Sequence, residues 1–263
     1  DLRGNSLGTE LCRVLVSYKN LKLNELVLEE TELTSHNLVV LLPLLQHVRS
    51  LNLRSNTLKD ISVLEELTKL VELDVSQNPI AYARIPPRLQ SLKLESCNFR
   101  PVLHHLLSSP CSLRHLNLSY NYLNKDSVAL VSETVRQTAL LSLELISCSL
   151  TEDLFRQLLT ATAGHRLQKL DVSRNVIKDV TVVADLIGRC DCPLKVLNLQ
   201  GNRIENGADA VRLAMTHNFR LVELKGMRDE QIRHFILLNR AGRGELGKAS
   251  WPELLERAHD AYG

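Results

Sequence analysis

Leucine and its aliphatic relatives recur along the chain in one local spelling, Leu-x-Leu-x-x-Asn-x-Leu. Three octets carry it closely: Leu51 to Leu58, Leu116 to Leu123 and Leu197 to Ile204. Near matches fill the intervals. The Asn-equivalent position therefore falls at Asn5, Thr31, Asn56, Asn78, Cys97, Asn121, Cys148, Asn175 and Asn202, at spacings of 26, 25, 22, 19, 24, 27, 27 and 27 residues. Alternation of period two over the first part of each unit predicts a short strand. Leu26 and Leu28 then point into a core, while Glu25, Val27 and Glu29 point away. Each strand runs into a turn whose buried backbone groups need partners. An Asn side chain offers two N–H donors and an accepting oxygen there. Thr31 can substitute through its hydroxyl, whereas Cys97 and Cys148 bring only a weak S–H donor. Stacked repeats make these nine positions a structural ladder.

The longer intervals leave room for a helix on the other side of each layer. In Thr151 to Leu159 a threonine N-cap precedes two acids, and Leu154, Leu158 and Leu159 form an inward stripe. Residues 35–47, 126–137 and 207–216 read the same way. The 22- and 19-residue intervals around Asn78 and Cys97 are too short for a full helix. Pro86 and Pro87 are hostile to a helix interior as well, so the outer side is expected to be thin near residues 79–90.

With Asn or Cys at the key position and repeats of roughly 20–29 residues, the chain resembles the leucine-rich-repeat family. The resemblance runs from residue 1 to about 225. The C-terminal half resembles the ribonuclease-inhibitor-like class, and the middle the shorter-repeat classes. It implies an α/β solenoid, with a curved parallel β-sheet inside and helices and irregular segments outside. It also implies protein–protein interaction and no cofactor. About nine repeats occupy 1–225. They begin in mid-repeat at Asp1, which suggests truncation upstream.

The pattern fades after Leu224. Residues 226–263 are expected to form a helical C-terminal cap, with helices at about 229–239 and 250–261, Ser250 as N-cap and Trp251 as a plug. The segments Leu238 to Arg243 and Ser250 to Arg257 look like the tail of some algal and protist leucine-rich-repeat proteins. Gly242 to Lys248 matches the first seven positions of a phosphate-binding loop. Ala249 stands where a magnesium-binding Ser or Thr is needed, and no preceding strand is predicted, so nucleotide binding is not expected.

Composition narrows the class. Of 263 residues 54 are leucine, which the repeat explains. No stretch approaches 18 consecutive apolar residues, so no membrane insertion is expected. The six cysteines, Cys12, Cys97, Cys111, Cys148, Cys190 and Cys192, are scattered, with no cysteine-rich end caps. That favours a reducing intracellular compartment, cytoplasmic in the first instance. The Cys190–Cys192 pair lacks further ligands at metal spacing. Asn117-Leu118-Ser119 fits a glycosylation sequon but is also ordinary repeat spelling. No hydrolase elbow, zinc-protease or paired glycine motif is present, so an enzyme is not expected.

The strand pattern predicts three outward columns over eight strands. They are Glu25, Ser50, Glu72, Ser91, His115, Ser142, Lys169, Val196; Val27, Asn52, Asp74, Lys93, Asn117, Glu144, Asp171, Asn198; and Glu29, Arg54, Ser76, Glu95, Ser119, Ile146, Ser173, Gln200. Seven of these 24 are acidic and three basic, although the whole chain carries +2. An acidic concave face excludes nucleic-acid backbone binding there and suits a basic protein surface. The candidate protein-binding residues are Glu72, Asp74, Glu95, Glu144 and Asp171, with Tyr120 and Tyr122 as nearby aromatic anchors. The expected function is a non-catalytic interaction scaffold or structural subunit of a larger hetero-oligomeric intracellular assembly. The alternative is a substrate receptor of a ubiquitin ligase, or a regulator of a GTPase or phosphatase.

Overall fold

A computed structural model describes residues 1–18, 21–108, 111–162, 165–189 and 192–243. The chain divides into two compact units, Asp1–Asn121 with Glu133–Leu140, and Tyr122–Ser132 with the chain from Leu141 onward. The first holds strands β1 (Glu25–Val27), β2 (Ser50–Asn52), β3 (Glu72–Asp74), β4 (Ser91–Lys93) and β5 (His115–Asn117). They pair parallel in chain order, with Leu26, Leu51, Leu73, Leu92 and Leu116 in register. The second holds β6 (Ser142–Glu144), β7 (Lys169–Asp171), β8 (Val196–Asn198) and β9 (Glu223–Lys225), also parallel, with Leu143, Leu170, Leu197 and Leu224 in register. The strand leucines from Leu26 to Leu197 are at most 5% exposed. Burying such a side chain is worth about 1.5–3 kcal/mol, so the repeated leucines drive the stacking.

The helices are α1 (Thr9–Ser17), α2 (Ser35–Leu45), α3 (Arg100–Ser108), α4 (Lys125–Gln137), α5 (Glu152–Thr162), α6 (Thr181–Ile187), α7 (Ala208–Met215) and α8 (Glu230–Arg240). Five of them, α2, α4, α5, α7 and α8, lie where the sequence pattern places them; α1, α3 and α6 are additional. In α5 the deep residue is Phe155, fully buried, beside Leu158 and Leu159, while Leu154 is only half-buried. Leu158 and Leu159 hold their expected inward places, and Phe155 takes the one expected of Leu154. Thr151 does cap α5, accepting from Leu154 N at 3.5 Å. The short intervals carry one 3₁₀ turn, Ser62–Glu66, and residues 79–90 contain no helix.

One backbone device recurs at every turn. The residue before each ladder position lies in the left-handed region: Gly4, Glu30, Ser55, Gln77, Ser96, Tyr120, Ser147, Arg174 and Gly201. This conformation costs an L residue about 1–2 kcal/mol, against about 0.5–1 kcal/mol of extra chain entropy lost by glycine. Exposed Glu30, with φ 55°, is the cleanest place to test the balance. Glu30→Gly is expected to raise stability by about 0.5 kcal/mol, seen as a higher urea midpoint, while Glu30→Ala, which keeps Cβ, gives no gain.

After β9 the pattern changes. Gly226 is left-handed at φ 92°, but in register it stands opposite Leu199, two positions before the recurring left-handed residue, and Asp229 falls at the ladder position. Asp229 caps α8 by accepting from Ile232 N at 2.9 Å and binds Arg212 of α7 at 2.6 Å. Its carboxyl sits below the ordinary aspartate range, first because of the Arg212 bond. Asn239 donates to Asn218 O and Leu221 O, and Arg240 Nε to Val222 O at 2.7 Å. In the layers before, strand N–H groups occupy that last place: Val222 N and Glu223 N both donate to Lys195 O. Among the described residues the Arg240 guanidinium thus takes the place that the next strand's N–H groups hold in earlier layers. Arg243 is buried between the rings of Phe219 and Phe235, 4.8 and 4.9 Å from its guanidinium carbon. It donates to Met215 O and Asn218 O at the end of α7, so carbonyl dipoles and aromatic faces balance its charge. The second expected tail helix, Trp251 and residues 244–249 of the phosphate-loop lookalike lie outside the described residues.

Candidate functional site

The buried ladder asparagines each make several hydrogen bonds. Asn56 Oδ1 accepts from Thr31 N and Leu33 N at 3.1 and 2.8 Å, and its Nδ2 donates to Leu28 O and Leu53 O. Asn78, Asn121, Asn175 and Asn202 repeat the arrangement: each accepts from the preceding layer and donates to a carbonyl of that layer and of its own. Asn5 is exposed and bonds only to Leu2 O and Arg3 O of its own turn. Thr31 Oγ1 donates to Leu28 O at 2.9 Å, and the thiols of Cys97 and Cys148 donate to Leu94 O and Ile146 O at 3.2 and 3.5 Å. A thiol cannot accept as Asn does. The N–H groups before it turn elsewhere, Ile80 N to Asn78 O and Leu123 N to the backbone oxygen of Cys148. Burial, and secondarily the Asp74 charge, push the Cys97 thiol up to about 12, which keeps it a protonated donor.

The strand register lines up the outward side chains. In the first unit the first column runs Glu25, Ser50, Glu72, Ser91 and His115, and the second Val27, Asn52, Asp74, Lys93 and Asn117. Glu25, Glu72, Lys93 and His115 are exposed. Glu72 also accepts from Ser50 Oγ at 3.1 Å. The second column does local work. Asn52, Asp74 and Asn117 each accept, through Oδ1, the N–H two residues on, at 2.9–3.0 Å. This Asx turn bends the chain out of the strand. Asp171 and Asn198 do the same in the second unit, at 2.9 and 3.0 Å.

The third column departs from its expected place on the accessible face. Ser76, Ser119 and Ser173 are buried, because the chain has already turned inward there. Ser76 Oγ accepts from Glu95 N at 3.0 Å. In the first unit a charged network spans the layer of Ser76. Arg54 bonds Glu95 at 2.6 Å and approaches Glu29 at 3.8 Å, and Asn52 and Asn117 donate to Glu29 and Glu95 at 3.3 and 2.8 Å. The Arg54 guanidinium is held above its usual range, first by the Glu95 bond, then by the charges of Glu95, Asp74 and Glu29. Asn117, the sequon residue, is committed to this network and to its own turn.

The five candidate carboxylates are therefore not equivalent. Asp74 and Asp171 shape turns, and Asp171 also accepts from Asn198 Nδ2 at 2.8 Å. Glu95 is bound to Arg54, and Glu144 accepts from Lys169 Nζ at 2.9 Å. That bond is the main reason the Lys169 ammonium lies above its ordinary range. Glu72 is exposed, as is Glu25, which was not among the candidates. Tyr120 and Tyr122 are 49% and 76% exposed, Tyr120 belonging to the first unit and Tyr122 to the second. The sequence does hold the signal for the turn carboxylates: an Asx followed two residues later by a short or polar residue, as in Asp74-Val75-Ser76. Among the described residues, no group of three His, Cys, Asp or Glu could hold a metal ion. No described helix is long and apolar enough to cross a membrane.

Two family models match the chain, both described as leucine rich repeat, at residues 112–132 and 45–64. Among solved structures it is similar to human 5T4 (Wnt-activated inhibitory factor 1, trophoblast glycoprotein), at 20% identity over 69% of this chain and 70% of that one, with a TM-score of 0.52. It is also similar to the protein of the TLR13–ssRNA13 complex, at 16% identity over 86% of this chain and 31% of that one, with a TM-score of 0.44. No curated protein sequence matches it. With the parallel strand–turn–helix layers, these matches show that the chain contains leucine-rich repeats and has an α/β solenoid fold of that kind.

Proposed function

We propose that this chain is a non-catalytic protein–protein interaction scaffold, a subunit of a larger intracellular assembly, and that the sheet face of its first unit takes a basic surface of a protein partner. The observation that carries the reading is the charge of that face. Its columns hold Glu25, Glu29, Glu72, Asp74 and Glu95 against Arg54 and Lys93, while the whole chain is +2. The internal bonds of Arg54 cancel part of that charge, and Glu25 and Glu72 remain as exposed carboxylates. A rigid row of this kind orients an incoming cationic segment and speeds encounter more than it adds affinity. The intracellular reading is supported by Cys12, Cys97, Cys111, Cys148 and Cys192, all free thiols.

Zero-length carbodiimide crosslinking of the native complex, read by mass spectrometry, tests the face. The expected result joins Glu25 or Glu72 to partner lysines. The double variant Glu25→Lys/Glu72→Lys should lower recovery of that same partner by ~10-fold without moving the melting temperature. Crosslinks confined to helix residues, with undiminished recovery by the double variant, would remove this face from the assembly.

A further inference from the structure

The carboxylates on the first-unit sheet face have a spacing as well as a sign. Across β1 to β5 the first column runs Glu25, Ser50, Glu72, Ser91 and His115, one residue per strand. Glu25, Glu72 and His115 are exposed, and the two serines between them are half-buried. Long and short side chains therefore alternate along the row. Neighbouring strands lie about 4.8 Å apart, which sets Glu25 and Glu72 about 9.6 Å apart. Among the described residues the Glu25 side chain has no hydrogen bond or ion pair, and that of Glu72 has the Ser50 hydroxyl at 3.1 Å. Lys93, in the next column of β4, is 54% exposed and reaches Asp74 only at 4.0 Å. The exposed charge is thus acidic over β1 to β3 and turns basic at β4.

Three backbone forms can be laid across such a row. An extended strand returns to one face every second residue, at about 6.8 Å, or every fourth, at about 13.5 Å. Neither matches the carboxylates. A polyproline helix covers about 9.3 Å in three residues, but it puts no side chain on that face between them. An α-helix brings residue i+7 to about 10.5 Å, and residues i+3 and i+4 to about 4.5–6 Å on the same side. Cations at i and i+7 then meet Glu25 and Glu72, while the side chain between them fills the gap above Ser50. Close packing favours the form that leaves no gap. An acid at i+10 lies about 15 Å along, over β4, where Lys93 stands. Resting on the sheet-face reading, we infer that the segment bound there is an α-helix of the partner protein. It lies across the strands, with Lys or Arg at i and i+7, a large side chain at i+3 or i+4, and an acid near i+10.

The test uses the full chain and fluorescein-labelled helical peptides, followed by fluorescence anisotropy. The matched peptide, AKAAQLAAKAAELAAQA, carries its lysines seven residues apart. A control of the same composition, AKAAQLKAAAAELAAQA, moves the second lysine to another face. The matched peptide should bind saturably and at least ~10-fold more tightly than the control. Proline in place of the alanine before its second lysine breaks the helix and should cost ~10-fold as well. Glu25→Lys with Glu72→Lys should lose the matched peptide and gain AEAAQLAAEAAELAAQA, in which both lysines are replaced by glutamate. The wild-type arms need no variant, so a misfolded double variant does not blunt the test. Equal binding of matched and control peptides, tolerance of the proline, or no saturable binding overturns the helix. So does a double variant with the wild-type circular dichroism spectrum that fails to gain the acidic peptide. If Glu25 or Glu72 still crosslinks to partner lysines in the native complex, such a result removes the helix and leaves the sheet-face reading standing; if those crosslinks are absent too, both fall.

Discussion

Asn175→Ala is expected to lower the unfolding free energy by about 3–4 kcal/mol, with a matching fall in the urea midpoint. Asn175 is 4% exposed. Its Oδ1 accepts from Cys148 N and Leu150 N at 2.8 and 3.0 Å, and its Nδ2 donates to Leu145 O and Val172 O, both at 2.8 Å. Alanine leaves two buried N–H groups with nothing to replace the amide oxygen, at about 1–3 kcal/mol each. The carbonyls lose less, since each retains a second lone pair. Asn175→Asp preserves the acceptor and loses the donors, so it should fall between wild type and alanine near neutral pH. The chain supplies its own comparison at Cys97 and Cys148, where the preceding N–H groups turn to backbone oxygens instead. That adjustment is built into those layers. At Asn175 it is not, so Asn175→Cys should also be clearly destabilising. A loss below about 1 kcal/mol for Asn175→Ala would mean that water reaches the turn and the ladder is not a buried device.

The second large effect is at Gly226. A Cβ there would lie 2.4 Å from Leu199 C, 2.6 Å from Gln200 N and 2.7 Å from Leu199 O, all backbone atoms, and φ is +92°. No rotamer change relieves such a contact. Gly226→Ala must push β9 from the end of β8 or abandon the left-handed turn, at a cost of about 2–3 kcal/mol. The damage should be local first, with faster hydrogen exchange at Leu224 and Lys225 and weaker anchoring of Arg240 on Val222 O. Gly8→Ala is the control: nothing lies within 4 Å of its Cβ and its φ is −64°. It should leave the midpoint nearly unchanged. Equal midpoints for the two variants would show that β8 and β9 are not in the close contact described.

The repeat was readable because its signal is local and repeated. Leu-x-Leu alternation gives the strand, the Asn gives the turn, and the interval length decides between a helix and a bare connection at residues 79–90. In the α5 stripe Leu158 and Leu159 face the core as expected, but Phe155 takes the place of Leu154, since both are apolar and only packing decides which of two adjacent positions faces inward. The candidate site was less legible. Sequence alone assigns Glu72, Asp74 and Glu95 the same charge and an outward-facing place, each in a different column. Structure makes one an exposed carboxylate, one a turn acceptor and one the partner of Arg54, because a hydrogen bond depends on three-dimensional distance to a residue 41 positions away.

The sequence by itself determined the architecture: layers stacked in register, held by leucines and tied by an asparagine ladder. Periodic burial and a periodic backbone need leave no other economical arrangement of these residues. The tertiary structure decided which polar groups remain for a partner and which are consumed internally. It also decided how the last described layer ends, with Arg240 on Val222 O and Arg243 between two phenylalanine rings. Those outcomes depend on side chains from distant segments meeting at a few ångströms, and no local spelling encodes that.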